Sequence, residues 1–275
     1  MTATTVGRTT GTAGRVSFVN LLQSEWTKIR TVRSTVWSLV LLLALFLGLT
    51  AILVSLTVAT WDDTDAETQA LIVDDPAAVI LGSGFLVAQL AVCVLGVMVI
   101  ASEYSTGMIR ASLLAVPRRV PMLAAKATVL FVLCLGVSLV SAFGSFFIGA
   151  PILEEKAPVA LGDPGVLRVV IGTALYLAVL SVLALAVGAL VRHTAAGITG
   201  IIGFVLVLAP LVQLIPGKFG EYAHAYLPTE AGILIGQTQQ GSDDLLSPWQ
   251  GFGVMCLWTV ALLAVAGYLL KRRDA

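Results

Sequence analysis

The chain has 275 residues, of which 58% are hydrophobic and only 12% charged. A soluble domain carries about 25% charged residues, so an ordinary water-soluble globule is excluded. Sixteen basic and sixteen acidic side chains cancel to a formal net charge of zero, which excludes a partner recognised through bulk charge, nucleic acid included.

Residues 1–16 are rich in Thr and Gly, carry Arg8 and Arg15, and hold too little apolar surface to pack. They are expected to form a disordered tail, and residues 17–275 a single membrane domain. From Ser17 to Arg33, Phe18, Leu21, Leu22, Trp26, Ile29 and Val32 recur at helical spacing, with Gln23, Lys28 and Arg30 on other faces. This pattern predicts an amphipathic helix lying in the membrane interface, with Glu25, Trp26, Lys28, Arg30 and Arg33 at that depth.

Six apolar runs follow, each near the 20 or so residues that cross a bilayer core as helix. They are Val36–Thr60, Ala77–Ile100, Ala127–Ala150, Val169–Leu190, Ala195–Ile215 and Trp249–Leu270, and none contains Asp, Glu, Lys or Arg. The runs are continuous, which is the pattern of spanning helices; a membrane barrel alternates over about ten residues. The fold expected is all-α and polytopic, with six transmembrane helices. The basic residues set its orientation. Only Lys156, Arg168 and Lys218 fall on one side of these spans, and the other thirteen fall on the opposite side, which is therefore cytoplasmic. Six spans then place both termini in the cytoplasm.

Three connections have their own signals. In Ser102–Lys126, Pro117 disfavours helix at Val116, so a short helix is expected over Ser105–Ala115, followed by Arg118, Arg119 and Lys126. In Pro216–Pro248 the apolar stretch Ala231–Gly236 is expected as a short external helix that re-enters the outer leaflet or packs on the spans, with Thr229 as its cap. Between the fourth and fifth spans only a turn around Arg192-His193 remains. Gly82-Ser83-Gly84 reads as helix-packing or turn glycine, and Gln89 and Gln213 as interhelical hydrogen-bonding groups. Gly197, Gly200 and Gly203 recur every three positions in the fifth span and are candidates for packing between two copies, with packing of the fifth span within the chain, or a high glycine background, as the alternative.

The chemistry that is missing is equally informative. There is no G-x-x-x-x-G-K-[ST] phosphate loop and no H-E-x-x-H. Cys93, Cys134 and Cys256 each sit in an apolar run, where cysteine behaves as a small hydrophobe. His193 and His224 fall on opposite sides of the membrane, so no metal site is expected. Ion-coupled transporters carry charged groups at depth. These spans carry none, so the energy for uphill transport is expected to come from outside the chain.

Two stretches carry a family resemblance. One is Glu25-Trp26-Thr27-Lys28-Ile29-Arg30-Thr31-Val32-Arg33-Ser34-Thr35. The other is Glu103-Tyr104-Ser105-Thr106-Gly107-Met108-Ile109-Arg110, continuing through Pro117-Arg118-Arg119 to Ala124-Ala125-Lys126. They resemble the ABC-2-type permease family in its actinobacterial form, the membrane subunits of ATP-driven exporters. Met108 departs from the family pattern, which commonly has threonine there. Tyr226-Leu227-Pro228-Thr229-Glu230-Ala231 is similar to the family's proline-containing segment before the last span. The resemblance implies a permease domain that lacks ATP-binding and catalytic residues of its own and pairs with a second copy or a similar chain. It implies a separate ATP-binding subunit that holds ATP and Mg, and residence in the plasma membrane. It also implies that Glu103, Gly107, Arg110, Pro117, Arg118, Arg119 and Lys126 form the coupling surface for that subunit. Glu103 and Arg110 stand about 10 Å apart along a continuous helix. A basic partner for Glu103 is therefore expected on another segment, such as the N-terminal helix. The runner-up function is a secondary transporter or channel that works without ATP.

Overall fold

The computed structural model describes residues 17–31, 33–105, 107, 119–239, 241 and 245–272. The expected tail over 1–16 and nearly all of the helix expected over 105–115 lie outside these residues.

Among the described residues the chain is helical and has no strand, and six helices are long and apolar enough to cross a membrane. Helix α1 spans Phe18–Thr31 and α2 Arg33–Ala59. The connection from α2 to the next span holds a 3-10 turn, Trp61–Asp63, and α3, Ala66–Asp74. Neither was expected, yet α3 has a readable start: Asp65 accepts a hydrogen bond from the Thr68 amide at 2.9 Å, satisfying a donor that the first turn leaves free. Helix α4, Pro76–Ser105, begins with proline, and Asp75 Oδ1 accepts from the Ala78 amide at 3.0 Å. Helix α5 spans Arg119–Leu153 and α6 Val166–Val191. The α6–α7 turn is closed by Arg192 at φ 58°, whose amide donates to Gly188 O, and by His193 Nδ1, which accepts from the Ala196 amide.

Helix α7 covers Thr194–Gln213 and widens to a π-turn over Phe204–Leu208. Pro210 explains the widening: it has no amide hydrogen for Leu206 O, and its ring would strike that carbonyl in a regular α-turn. Two short helices, α8 (Lys218–Ala225) and α9 (Pro228–Ile233), precede α10, Pro248–Arg272. Thr229 is not the cap of α9; that position is Leu227, and Thr229 is buried within the first turn. The expected apolar stretch packs on the spans. Gly232 meets Met255 and the Tyr176 ring, and Gly172 meets Ile235, because neither glycine carries a Cβ to hold the segments apart.

Helix α6 is the axis of the bundle, buried over most of its length, whereas α2, α7 and α10 bury less than a third of theirs. The α4–α6 crossing is closest at Gly96, where an added Cβ would strike Ser181 O, and at Gly188, against Val97 and Ile100. Gly84 likewise seats on Phe46 of α2, in keeping with a packing role. Gln89 and Gln213 form no interhelical hydrogen bond among the described residues; Gln89 is buried in α4, and Gln213 lines a cavity at the C-terminal end of α7.

The observed helices run past the apolar runs at several ends. Helix α4 continues to Ser105 and α5 starts at Arg119. Glu103 and Lys126, read from the sequence as connection residues, are therefore helix residues. The statement that no span carries a charge holds for the apolar runs but not for the helices.

Candidate functional site

Glu103 sits in the last turn of α4, and Lys126 lies two turns into α5. Glu25 and Lys28 are one turn apart on α1. Helix α1 packs on α5 and α2, burying Leu21, Glu25 and Ile29, which are four residues apart and share one face. These segments bring four charges together. Lys126 Nζ donates to Glu25 Oε2 at 2.6 Å and to Glu103 Oε1 at 2.8 Å. Lys28 Nζ donates to Glu25 Oε1 at 2.7 Å and to Glu103 Oε1 at 3.3 Å. Lys126 is 2% exposed, Glu25 3% and Glu103 4%, while the side chain of Lys28 is 31% exposed at the rim.

Removing carboxylates and ammonium groups from water is unfavourable, and close, hydrogen-bonded pairing offsets it. The Glu25 carboxyl shows the balance. Burial alone would raise it, but Lys126 and then Lys28 outweigh burial and hold it below the usual carboxylate range. Burial would lower the Lys28 ammonium, but Glu25 and Glu103 outweigh it and hold Lys28 above the usual lysine range. Glu103 Oε2 is buried and, among the described residues, accepts no hydrogen bond.

Neighbouring contacts tie the same end of the bundle together. Arg119 Nη1 donates to Leu270 O at 2.7 Å, joining the start of α5 to the end of α10. The Arg192 guanidinium lies 5.3 Å from the centroid of the Tyr104 ring, joining the α6–α7 turn to the end of α4. The sequence reading did not find that contact; a non-glycine residue in the left-handed turn was not legible in it.

The other expected site residues are placed as follows. Trp26 is 47% exposed and Arg30 is exposed, on faces of α1 away from the cluster. Arg33 is the first residue of α2, and its side chain lies outside the described residues. Gly107 adopts φ 72°, a conformation that glycine tolerates best. Arg110, Pro117 and Arg118 lie outside the described residues. Gly197 does not face outward: it is buried, and an added Cβ would meet Val97 of α4 at 2.8 Å. Gly200 and Gly203 have open space around them.

The sequence model of the ABC-2 family transporter protein matches residues 21–210, well over half of the chain. The chain belongs to the ABC-2 family. No curated protein matches it. The part shared with the ABC-2 family runs from α1 into the C-terminal part of α7, so Glu25, Lys28, Glu103 and Lys126 all lie within it. Family and helices together make the chain a multi-pass membrane protein of a transporter system.

Proposed function

We propose that this ABC-2 family chain is the membrane-spanning permease subunit of an ABC-type exporter, driven by a separate ATP-binding subunit. The end carrying the four-charge cluster faces the cytoplasm, in line with the thirteen basic residues on that side. Both termini lie there, in the plasma membrane. The subunit pairs with a second copy or a similar chain, and Gly200 and Gly203 on the exposed face of α7 are open to such a neighbour. ATP and Mg belong to the partner; this chain carries no phosphate loop and is not itself an enzyme.

The observation that carries this reading is the cluster in its family context. Three segments far apart in sequence are held by buried ion pairs at the point where α4 passes into the 106–118 connection. A force applied there by a docked subunit reaches α4 and α5 together through the buried Glu103–Lys126 pair, and reaches α1 while it is docked on them. Helix α1, with Phe18, Val19 and Trp26 exposed, lies along the membrane surface in this reading.

Affinity purification of the tagged chain from its native membrane tests the proposal. Recovery with a soluble protein that carries a phosphate loop, and ATP hydrolysis by the pair, is expected. Recovery without any ATPase, together with flux driven by an ion gradient alone, would overturn it in favour of a secondary transporter.

A further inference from the structure

The four charges of the cluster divide by helix in a particular way. Glu25 and Lys28 both belong to α1 and bond each other at 2.7 Å. Glu103 and Lys126 belong to α4 and α5 and bond each other at 2.8 Å. Each couple is neutral by itself. The contacts that join the two couples are Lys126–Glu25 at 2.6 Å and Lys28–Glu103 at 3.3 Å.

Separating a buried ion pair ordinarily strands two charges, which is why such pairs lock helices in place. This arrangement avoids that outcome. If α1 moves away, it keeps its own pair, and α4 and α5 keep theirs. The apolar surface that α1 buries is modest, with Leu21 and Ile29 on the bundle. Its other faces already expose Phe18, Val19 and Trp26, which an interface of lipid accepts in either position. Lys28 is the more exposed of the two lysines, and its contact with Glu103 is the longest of the four.

We propose that α1 is a detachable latch: it undocks from α4 and α5 with its Glu25–Lys28 couple still paired, Arg30 remaining on its exposed face, and redocks, with Lys28–Glu103 the first contact to open. The latch is a property of this chain, and it stands or falls independently of the ATP-driven reading.

The test uses the full chain in lipid nanodiscs, where both membrane faces are reachable, with Cys93, Cys134 and Cys256 replaced by alanine and Leu21→Cys as the reporter. Leu21 is buried with α1 docked, and undocking would expose it. The rate of its reaction with a bulky water-soluble maleimide is compared in three further backgrounds. The exchange Glu103→Lys with Lys126→Glu preserves the α4–α5 pair but sets like charge against like at both joining contacts. Like-charge juxtaposition of this kind is strongly unfavourable, so labelling should rise about ten-fold or more. Adding Glu25→Lys and Lys28→Glu restores every opposite-charge contact and should return labelling to near the starting rate. Lys28→Gln alone, a conservative change at the rim, should give an intermediate rise. An unchanged rate in both the two-residue exchange and Lys28→Gln would overturn the proposal. So would a four-residue exchange as reactive as the two-residue one.

Discussion

Lys126 Nζ donates to Glu25 Oε2 at 2.6 Å across 101 positions of sequence. The bond joins the second turn of α5 to the middle of α1 and leaves the lysine 2% exposed between two carboxylates. Replacing Lys126 by methionine keeps the side-chain volume and removes the charge. Two buried carboxylates are then left with Lys28 at the rim as their nearby cation. Loss of one partner from a buried pair costs about 3–5 kcal/mol, and thermal unfolding in detergent should show a clear drop in Tm. The double variant Lys126→Met with Glu103→Gln should recover part of it. A Tm for Lys126→Met equal to the parent's would show that the cluster does not hold the bundle end together.

The same cluster sets a pH dependence. Glu25 is held below its usual range, so its contribution to stability is present above that range and is lost as pH falls through the depressed value. Lys28 is held above its usual range, so its smaller, solvent-screened contribution is present below that range and is lost as pH rises through the raised value. Between about pH 5 and about pH 9 neither group titrates, and Tm should be flat with respect to Glu25 and Lys28. Glu25→Gln should flatten part of the acid limb; an acid limb identical to the parent's would remove Glu25 from the account.

How much of this was legible in the sequence differs by feature. The six spans were plain because each is a continuous apolar run with no competing pattern. The link between Glu103 and a basic residue of another segment followed from the distance to Arg110, and the structure supplies two such residues, Lys28 and Lys126. The burial of Lys126 was hidden because a lysine beside an apolar run reads as a connection residue. The local signal was Ala124-Ala125-Lys126-Ala127, a run with high helix propensity continuous with Met122 and Leu123. Its two carboxylates lie 23 and 101 positions away, and no local pattern reports contacts at that range. The glycines of α7 show a related limit: spacing shows a small-residue stripe, and only the packed bundle shows that Gly197 already faces Val97 while Gly200 and Gly203 have open space around them.

Two glycines should therefore respond oppositely to substitution. An added Cβ at Gly96 would strike the Ser181 carbonyl and stand 2.8 Å from Ala184 Cβ, so Gly96→Ala forces α4 and α6 apart. A loss of about 1–3 kcal/mol is expected, read as a lowered Tm. Gly200→Ala meets nothing within 4 Å and should leave the single chain as stable as before. If Gly200→Ala lowers the stability of the single chain as much as Gly96→Ala does, the open face assigned to α7 is wrong.

Orientation is checked by labelling in intact cells. Asp65 caps α3 in the connection between the first two spans, and Ser24 is exposed on α1. A membrane-impermeant thiol reagent added outside should label Asp65→Cys and miss Ser24→Cys in a background free of native cysteines. Labelling of Ser24→Cys alone would invert the assignment.

The central claim is that a partner's ATP turnover drives this permease through the Glu25–Lys28–Glu103–Lys126 cluster. Its most direct measurement is cargo exported per ATP hydrolysed by the co-purified complex, compared between the parent and Glu103→Gln. The account predicts that the variant inserts, binds its partner and hydrolyses ATP, while export per ATP falls about ten-fold or more, the effect of losing a desolvated charge contact at the coupling site. Export per ATP at the parent's level would contradict it and leave Glu103 a structural residue only.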